Sequence, residues 1–85
     1  MRVEISDLCY SCRQLPSNVN GMSVEDFLNA IYSMSTTDPR KYVELGGDAG
    51  VTAVLSNAIV MGNGCTTCGA IVLDKARKLG LPVGR

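Results

Sequence analysis

Four cysteines form two Cys-x-x-Cys pairs near opposite ends of the chain, Cys9 with Cys12 and Cys65 with Cys68. Two residues between thiols allow one tight turn, here called a knuckle, to direct both sulfurs at the same ion. Two knuckles supply the tetrahedral ligand set of a structural zinc site. Joining the pairs would close most of the chain into one loop. The pattern therefore predicts a single structural zinc ion bound by all four thiolates.

The size and composition of the chain give an independent reason to expect such a cross-link. The chain has 85 residues, 46% of them hydrophobic, and three tyrosines and one phenylalanine are its aromatic residues. Small chains bury a smaller share of their surface on folding and often need a metal or disulfides. Disulfides are disfavoured in a reducing compartment, so a metal is the expected cross-link.

Charge and hydropathy argue against several functional classes. Eight basic residues balance eight acidic ones, so we expect no strong non-specific binding to nucleic acid. The first residues lack the apolar run of a secretory signal, and the longest apolar stretch, residues 51–61, contains polar residues. It is shorter than the roughly 20 residues that a membrane helix needs. We therefore expect a cytoplasmic protein that does not enter a membrane.

Helical periodicity and capping residues predict a mainly α-helical fold of three to four helices. Polar and apolar residues alternate over residues 2–7, which predicts a short N-terminal strand leading into the first knuckle. Ser23 is a predicted N-cap, and apolar spacing predicts a helix that continues to about Met34. A second, short helix is predicted over residues 39–45, with proline at its first position.

The second half of the chain is predicted to hold two further helices. Asp48 is the predicted N-cap of a helix that continues to Met61, apolar on most sides and therefore expected to be the most buried element. Glycines at 62 and 64 are expected to end it. The last helix is predicted to begin at or just after Cys68 and to end at Gly80.

These elements are interpreted as one zinc-binding domain. Its parts are a strand, knuckle and loop (1–21), a helical insert (22–62), a second knuckle with the last helix (63–80) and a tail (81–85). One knuckle early and another at the start of a final helix resembles zinc-ribbon and treble-clef proteins at the level of the motif. The long helical insert is not expected of a simple ribbon.

Other chemistry remains open for the four cysteines. A Cys-x-x-Cys pair at a helix N-terminus also serves thiol–disulfide exchange, and residues 65–83 superficially resemble the first helix of a glutaredoxin. That fold needs a strand before the motif, where a helix is predicted, and has no use for a second pair. Four thiolates also suit an iron site, mononuclear or iron–sulfur. Four buried, unlinked thiols are the simplest alternative.

The last helix carries the main basic patch, formed with the C-terminus by Lys75, Arg77, Lys78 and Arg85. Such residues complement a helix dipole, and they could also contact an acidic partner or a nucleic-acid backbone. The chain has no histidine, the usual general base at neutral pH, so we expect no enzyme.

The favoured function is a non-enzymatic interaction module with structural zinc, a small regulator or adaptor that binds another protein. Formation of a homo-oligomer is a further possibility that the sequence leaves open. The first alternative is a nucleic-acid-binding transcriptional regulator that uses the basic last helix. The second is a small thiol redox or iron-site protein.

Overall fold

Helices make up most of the folded chain, as the sequence predicts. A computed structural model describes residues 2–82. Within this range no helix combines the length and apolarity needed to cross a membrane. The elements in chain order are a 3-10 turn (Ile5–Asp7), α1 (Tyr10–Arg13), α2 (Val24–Thr37), α3 (Pro39–Glu44), α4 (Gly47–Leu55), a π-helical segment (Ser56–Asn63) and α5 (Thr66–Lys78).

The predicted N-terminal strand is not found. Residues 2–82 contain no strand, only an isolated antiparallel bridge between Pro16 and Ser23. The chain instead turns into a 3-10 helix, because the Asp7 carboxylate accepts a hydrogen bond from the Glu4 backbone N–H at 2.9 Å. Val3 is fully buried, but no strand lies beside it. The polar–apolar alternation therefore indicates which side chains face inward. It does not produce a strand, because no neighbouring strand is present within the described residues for the backbone to pair with.

The predicted starts of α2 and α3 are confirmed. The Ser23 hydroxyl accepts a hydrogen bond from the Asp26 N–H at 3.1 Å, as an N-cap does. The helix ends at Thr37, a little beyond the predicted end. Asp38 then caps α3, and Pro39 is its first residue. One face of α2 is buried over its first half, at Val24, Phe27, Leu28 and Ile31.

The core is formed mainly by buried residues of α2, α4, the π-helical segment and α5. Here α2 packs against α3 and α4, α5 packs against α4 and the π-helical segment, and α1 packs against α2. The largest fully buried side chains are aliphatic, as expected for a chain with few aromatic residues. They are Leu28, Leu55, Ile59, Val3, Val24 and Val72.

The predicted third helix changes its hydrogen-bonding pattern halfway. It starts after Gly46, which has a φ of 110°, rather than after Asp48. It is α-helical only to Leu55 and then π-helical, and Gly62 leaves the helical region with φ −92° and ψ −139°. Met61, expected on an apolar and buried helix, is 76% exposed. The wider π turns alter which side chains face inward, and they lead the chain into the second knuckle.

Candidate metal centre

The two knuckles have the same local structure, and each is the first turn of a helix. Cys9 is the N-cap of α1 with φ −72° and ψ 164°, and Cys65 is the N-cap of α5 with φ −76° and ψ 157°. Cys12 and Cys68 occupy the third helical position. The last helix therefore begins at Thr66, not at or after Cys68 as predicted, because the first cysteine sulfur acts as the capping acceptor.

Backbone N–H groups connect the four sulfurs in a closed ring. Within each pair, the second cysteine donates its N–H to the first sulfur, from Cys12 to Cys9 at 3.4 Å and from Cys68 to Cys65 at 3.3 Å. Between the pairs, Cys9 donates to the Cys68 sulfur at 3.2 Å, and Cys65 donates to the Cys12 sulfur at 3.3 Å. Each sulfur thus accepts one N–H, and each pair supplies a donor to the other. Hydrogen bonds to the charged form favour thiolates.

The distances between sulfurs fit a single metal ion. The four Sγ atoms lie within 4.8 Å of one another. Cys65 Sγ is 3.6 Å from Cys12 Sγ and 3.9 Å from Cys9 Sγ. A tetrahedral ion with bonds of about 2.3 Å places its sulfur ligands about 3.8 Å apart. An iron–sulfur cluster instead distributes its thiolates over different iron atoms, which requires a wider arrangement. The cluster is therefore compatible with one mononuclear site.

Burial divides the sulfurs into an inner and an outer pair. Cys12 and Cys68 are 1% and 3% exposed, whereas Cys9 and Cys65 are exposed. Burial raises the pKa of Cys12 to about 12 and also raises the pKa of Cys68. The N–H of Cys12 lowers the pKa of Cys9, and the N–H of Cys68 lowers the pKa of Cys65 to about 7. A bound cation deprotonates a coordinating thiol. Cys12 and Cys68, the inner pair, therefore need a bound metal ion to become thiolates.

A glycine places the second knuckle against the π-helical segment. The Gly64 N–H donates to the Ile59 carbonyl at 3.2 Å. A Cβ on Gly64 would lie 2.6 Å from both that oxygen and the Ile59 Cγ2 atom. Gly69 is buried, but a Cβ there would meet Val60 at 3.7 Å, an ordinary contact. Only a residue without a side chain fits at position 64, and this close approach to Ile59 fixes the position of Cys65. The glycine directly before the Cys-x-x-Cys pair indicated this in the sequence.

Charged and aromatic residues near the first knuckle interact with one another. The Arg13 guanidinium is 3.5 Å from the Glu25 carboxylate and 6.0 Å from the centre of the Tyr10 ring. Its charge is thus shared with a carboxylate. Tyr10, which sequence reasoning did not single out, is 69% exposed and directly follows the exposed Cys9.

The predicted basic patch lies at the end of α5. Its last turn carries Lys75, Arg77 and Lys78. Lys75 is half-buried, and the Lys78 ammonium is 3.1 Å from the carboxylate of Asp74 one turn earlier. Arg85, the fourth predicted member, lies outside the described residues. The described part of the patch is therefore less cationic than its sequence indicates.

Comparison with known proteins identifies no family for this chain. No family model matches it, and neither a curated protein nor a solved structure does so. The interpretation of the centre therefore depends on its own geometry: four sulfurs at the separation of one tetrahedral ion, joined by a ring of backbone hydrogen bonds.

Proposed function

We propose that the four cysteines bind one structural zinc ion, and that the domain it stabilises is a non-enzymatic interaction module that binds another protein. The observation that carries the proposal is the approach of all four sulfurs to within 4.8 Å, with ligands from both ends of the chain. A site closed by four protein ligands leaves no open position for a substrate, which is typical of structural zinc.

Mononuclear iron is the metal alternative that the same geometry supports, because it also accepts four thiolates. Zinc is preferred because the ligand set is that of closed structural sites and because zinc carries no redox chemistry that the surrounding residues would have to serve. Metal analysis separates the two. Purified protein with one zinc per chain and no visible absorption supports the proposal, whereas red protein containing iron contradicts it.

Exposed apolar residues support a protein as the partner. Val43 and Leu45, here called the α3 surface, are 71% and 52% exposed. Leu45 also lines an apolar depression of about 160 Å³. Its walls are formed mainly by Val19, Phe27, Ile31, Val51 and Val54. Val43 is not part of this depression, so the two residues offer a partner protein two exposed apolar side chains rather than one continuous patch. Nucleic acid is the weaker alternative, because the basic patch is partly paired and the net charge is zero.

A cysteine series tests the shared metal site. Cys9→Ser and Cys68→Ser should lose zinc to a similar extent, although the two residues lie near opposite ends of the chain, because each removes one of four bonds. Ser11→Ala is the matched control, since this exposed residue lies between two ligands without being one. Full zinc content in Cys9→Ser or Cys12→Ser would refute the shared site.

A separate experiment tests the interaction role. Val43→Asp should retain zinc and helical content but weaken capture of the partner protein, because it places a charge on the α3 surface. Asn29→Asp, at an exposed position of α2, adds the same charge elsewhere and should bind normally. Salt-sensitive binding to arbitrary duplex DNA by the unaltered protein, with no protein partner, would instead favour the nucleic-acid alternative.

A further inference from the structure

One of the two exposed cysteines, Cys65, also lines a surface groove. The groove has a volume of about 320 Å³ and lies between the π-helical segment and the first turns of α5. Its walls include Ile59, Val60 and Leu73, and small residues such as Ala70 keep it open. Of the four cysteines, Cys65 alone lines it. A small reagent entering this groove therefore meets Cys65 before it meets the inner sulfurs.

We propose that Cys65 is a modification site at which a peroxide oxidises the cluster, and that a disulfide from Cys65 to the first pair then displaces the metal. The inference rests on the proposed zinc site. It is carried by two observations: the access of Cys65 to the groove, and its distance from the sulfurs of the other pair, 3.9 Å to Cys9 and 3.6 Å to Cys12.

The chemistry balances with the peroxide as the oxidant. The Cys65 thiolate attacks one peroxide oxygen, an S–O bond forms, the O–O bond breaks, and the leaving oxygen takes up a proton to become water. A thiolate of the first pair then attacks the Cys65 sulfur. The S–S bond forms, the S–O bond breaks, and the departing hydroxide takes up a proton. Two thiolates lose two electrons in all, and hydrogen peroxide is reduced to two molecules of water.

The product would join the same two segments that the metal joins. An S–S bond is about 2.05 Å long, so the sulfurs have to approach by less than about 2 Å. Two thiols then remain, one from each pair, which is too few for a structural zinc site. Because the new bond still links the first knuckle to α5, oxidation should release zinc without unfolding the helices.

The experiment begins with zinc-loaded protein in which one zinc per chain has been measured under reducing conditions. Stoichiometric hydrogen peroxide is then added, zinc release is followed with a chromogenic chelator, and disulfides are mapped by mass spectrometry of a non-reducing digest. The expected product links Cys65 to Cys9 or Cys12, appears together with free zinc, and keeps its helical circular dichroism. Reductant with added zinc should restore the starting state.

Disulfides confined to Cys65–Cys68 or Cys9–Cys12 would overturn the inference. Zinc release with loss of helical signal would overturn it as well. Neither result would contradict the proposal that the four cysteines bind zinc. Failure to load zinc at all would instead contradict the proposed function, and disulfide mapping of the reduced metal-free protein after peroxide would still test Cys65. The two failures are therefore distinguishable.

A pair of matched variants tests the role of the groove. Ala70→Leu places a larger side chain in the groove without replacing a ligand, and should slow peroxide-driven zinc release several-fold at unchanged zinc content. Ala30→Leu makes the same change at an exposed position of α2 that does not line the groove, and should react at the normal rate. Equal rates in both variants and the unaltered protein would refute access through the groove.

Discussion

Removing the metal should lower the free energy of unfolding. The size of the loss depends on the length of chain between the two cysteine pairs. The cross-link encloses the segment from Cys12 to Cys65, about 50 residues, and closing a loop of that length in the unfolded chain is worth about 4 kcal/mol. A domain of 85 residues has a total stability of roughly 4–13 kcal/mol. Loss of the cross-link therefore removes a large part of the free energy of unfolding. At roughly 4–8 °C per kcal/mol, Tm should fall by about 15–30 °C.

The assay is thermal melting followed by helical circular dichroism, with and without a strong chelator. A phosphine reductant must be present, because a disulfide between the pairs would restore the same cross-link. Readdition of stoichiometric zinc should recover the original Tm, since binding energy in such sites becomes folding energy. A Tm that changes by only a few degrees on chelation, in fully reduced protein, would refute the reasoning. The helical core would then be stable without the metal.

Three further perturbations follow from named contacts. Gly64→Ala should lower the free energy of unfolding by about 1–3 kcal/mol and weaken zinc binding, because its Cβ would overlap Ile59. Gly69→Ala should be tolerated, and urea melts and zinc titrations of both variants would check this. Burial and a hydrogen bond to Asp48 raise the pKa of Tyr42 to about 12, so the stability contributed by its neutral form is complete below pH ~10 and is lost as pH rises through about 12. Tyr42→Phe should reduce the alkaline loss of helical signal without abolishing it, because burial also raises the pKa of Tyr32, and an unchanged pH profile would contradict the assignment. Ser23→Ala should cost about 1 kcal/mol in a urea melt through loss of the α2 cap, and no change would mean that solvent replaces the cap fully.

The features that sequence predicted best depend on local chemistry. Ser23 and Pro39 mark helix starts by hydrogen bonding and by a fixed backbone angle, which act within one turn. The cysteine spacing likewise predicted four sulfurs in one place, which the geometry bears out. That the first cysteine of each pair caps a helix was missed, because sulfur is not among the usual capping atoms and both pairs were interpreted as separate turns.

The features that sequence did not predict depend on distant contacts. Residues 2–7 alternate like a strand, but a strand needs a neighbour, and only the folded chain determines whether one is present. The change from α to π hydrogen bonding after Leu55 has no signal in the apolar pattern, since apolar residues continue on most sides of the sequence through Met61. Zinc and iron cannot be told apart from spacing either, because both accept four thiolates in the same geometry.

The π-helical segment sets the angular position of the second knuckle about the helix axis. Residues of a regular α-helix are spaced about 100° apart, and a π turn is a wider turn that takes up extra residues. Deleting one residue from Ser56–Asn63 would permit a more regular helix, yet it would rotate the end of this segment by about 100° and so displace the second knuckle that follows it from the first pair. Exposed positions such as Met61 should therefore accept many substitutions, whereas single insertions and deletions should not be tolerated. The length of this segment is under stronger constraint than its exposed residues.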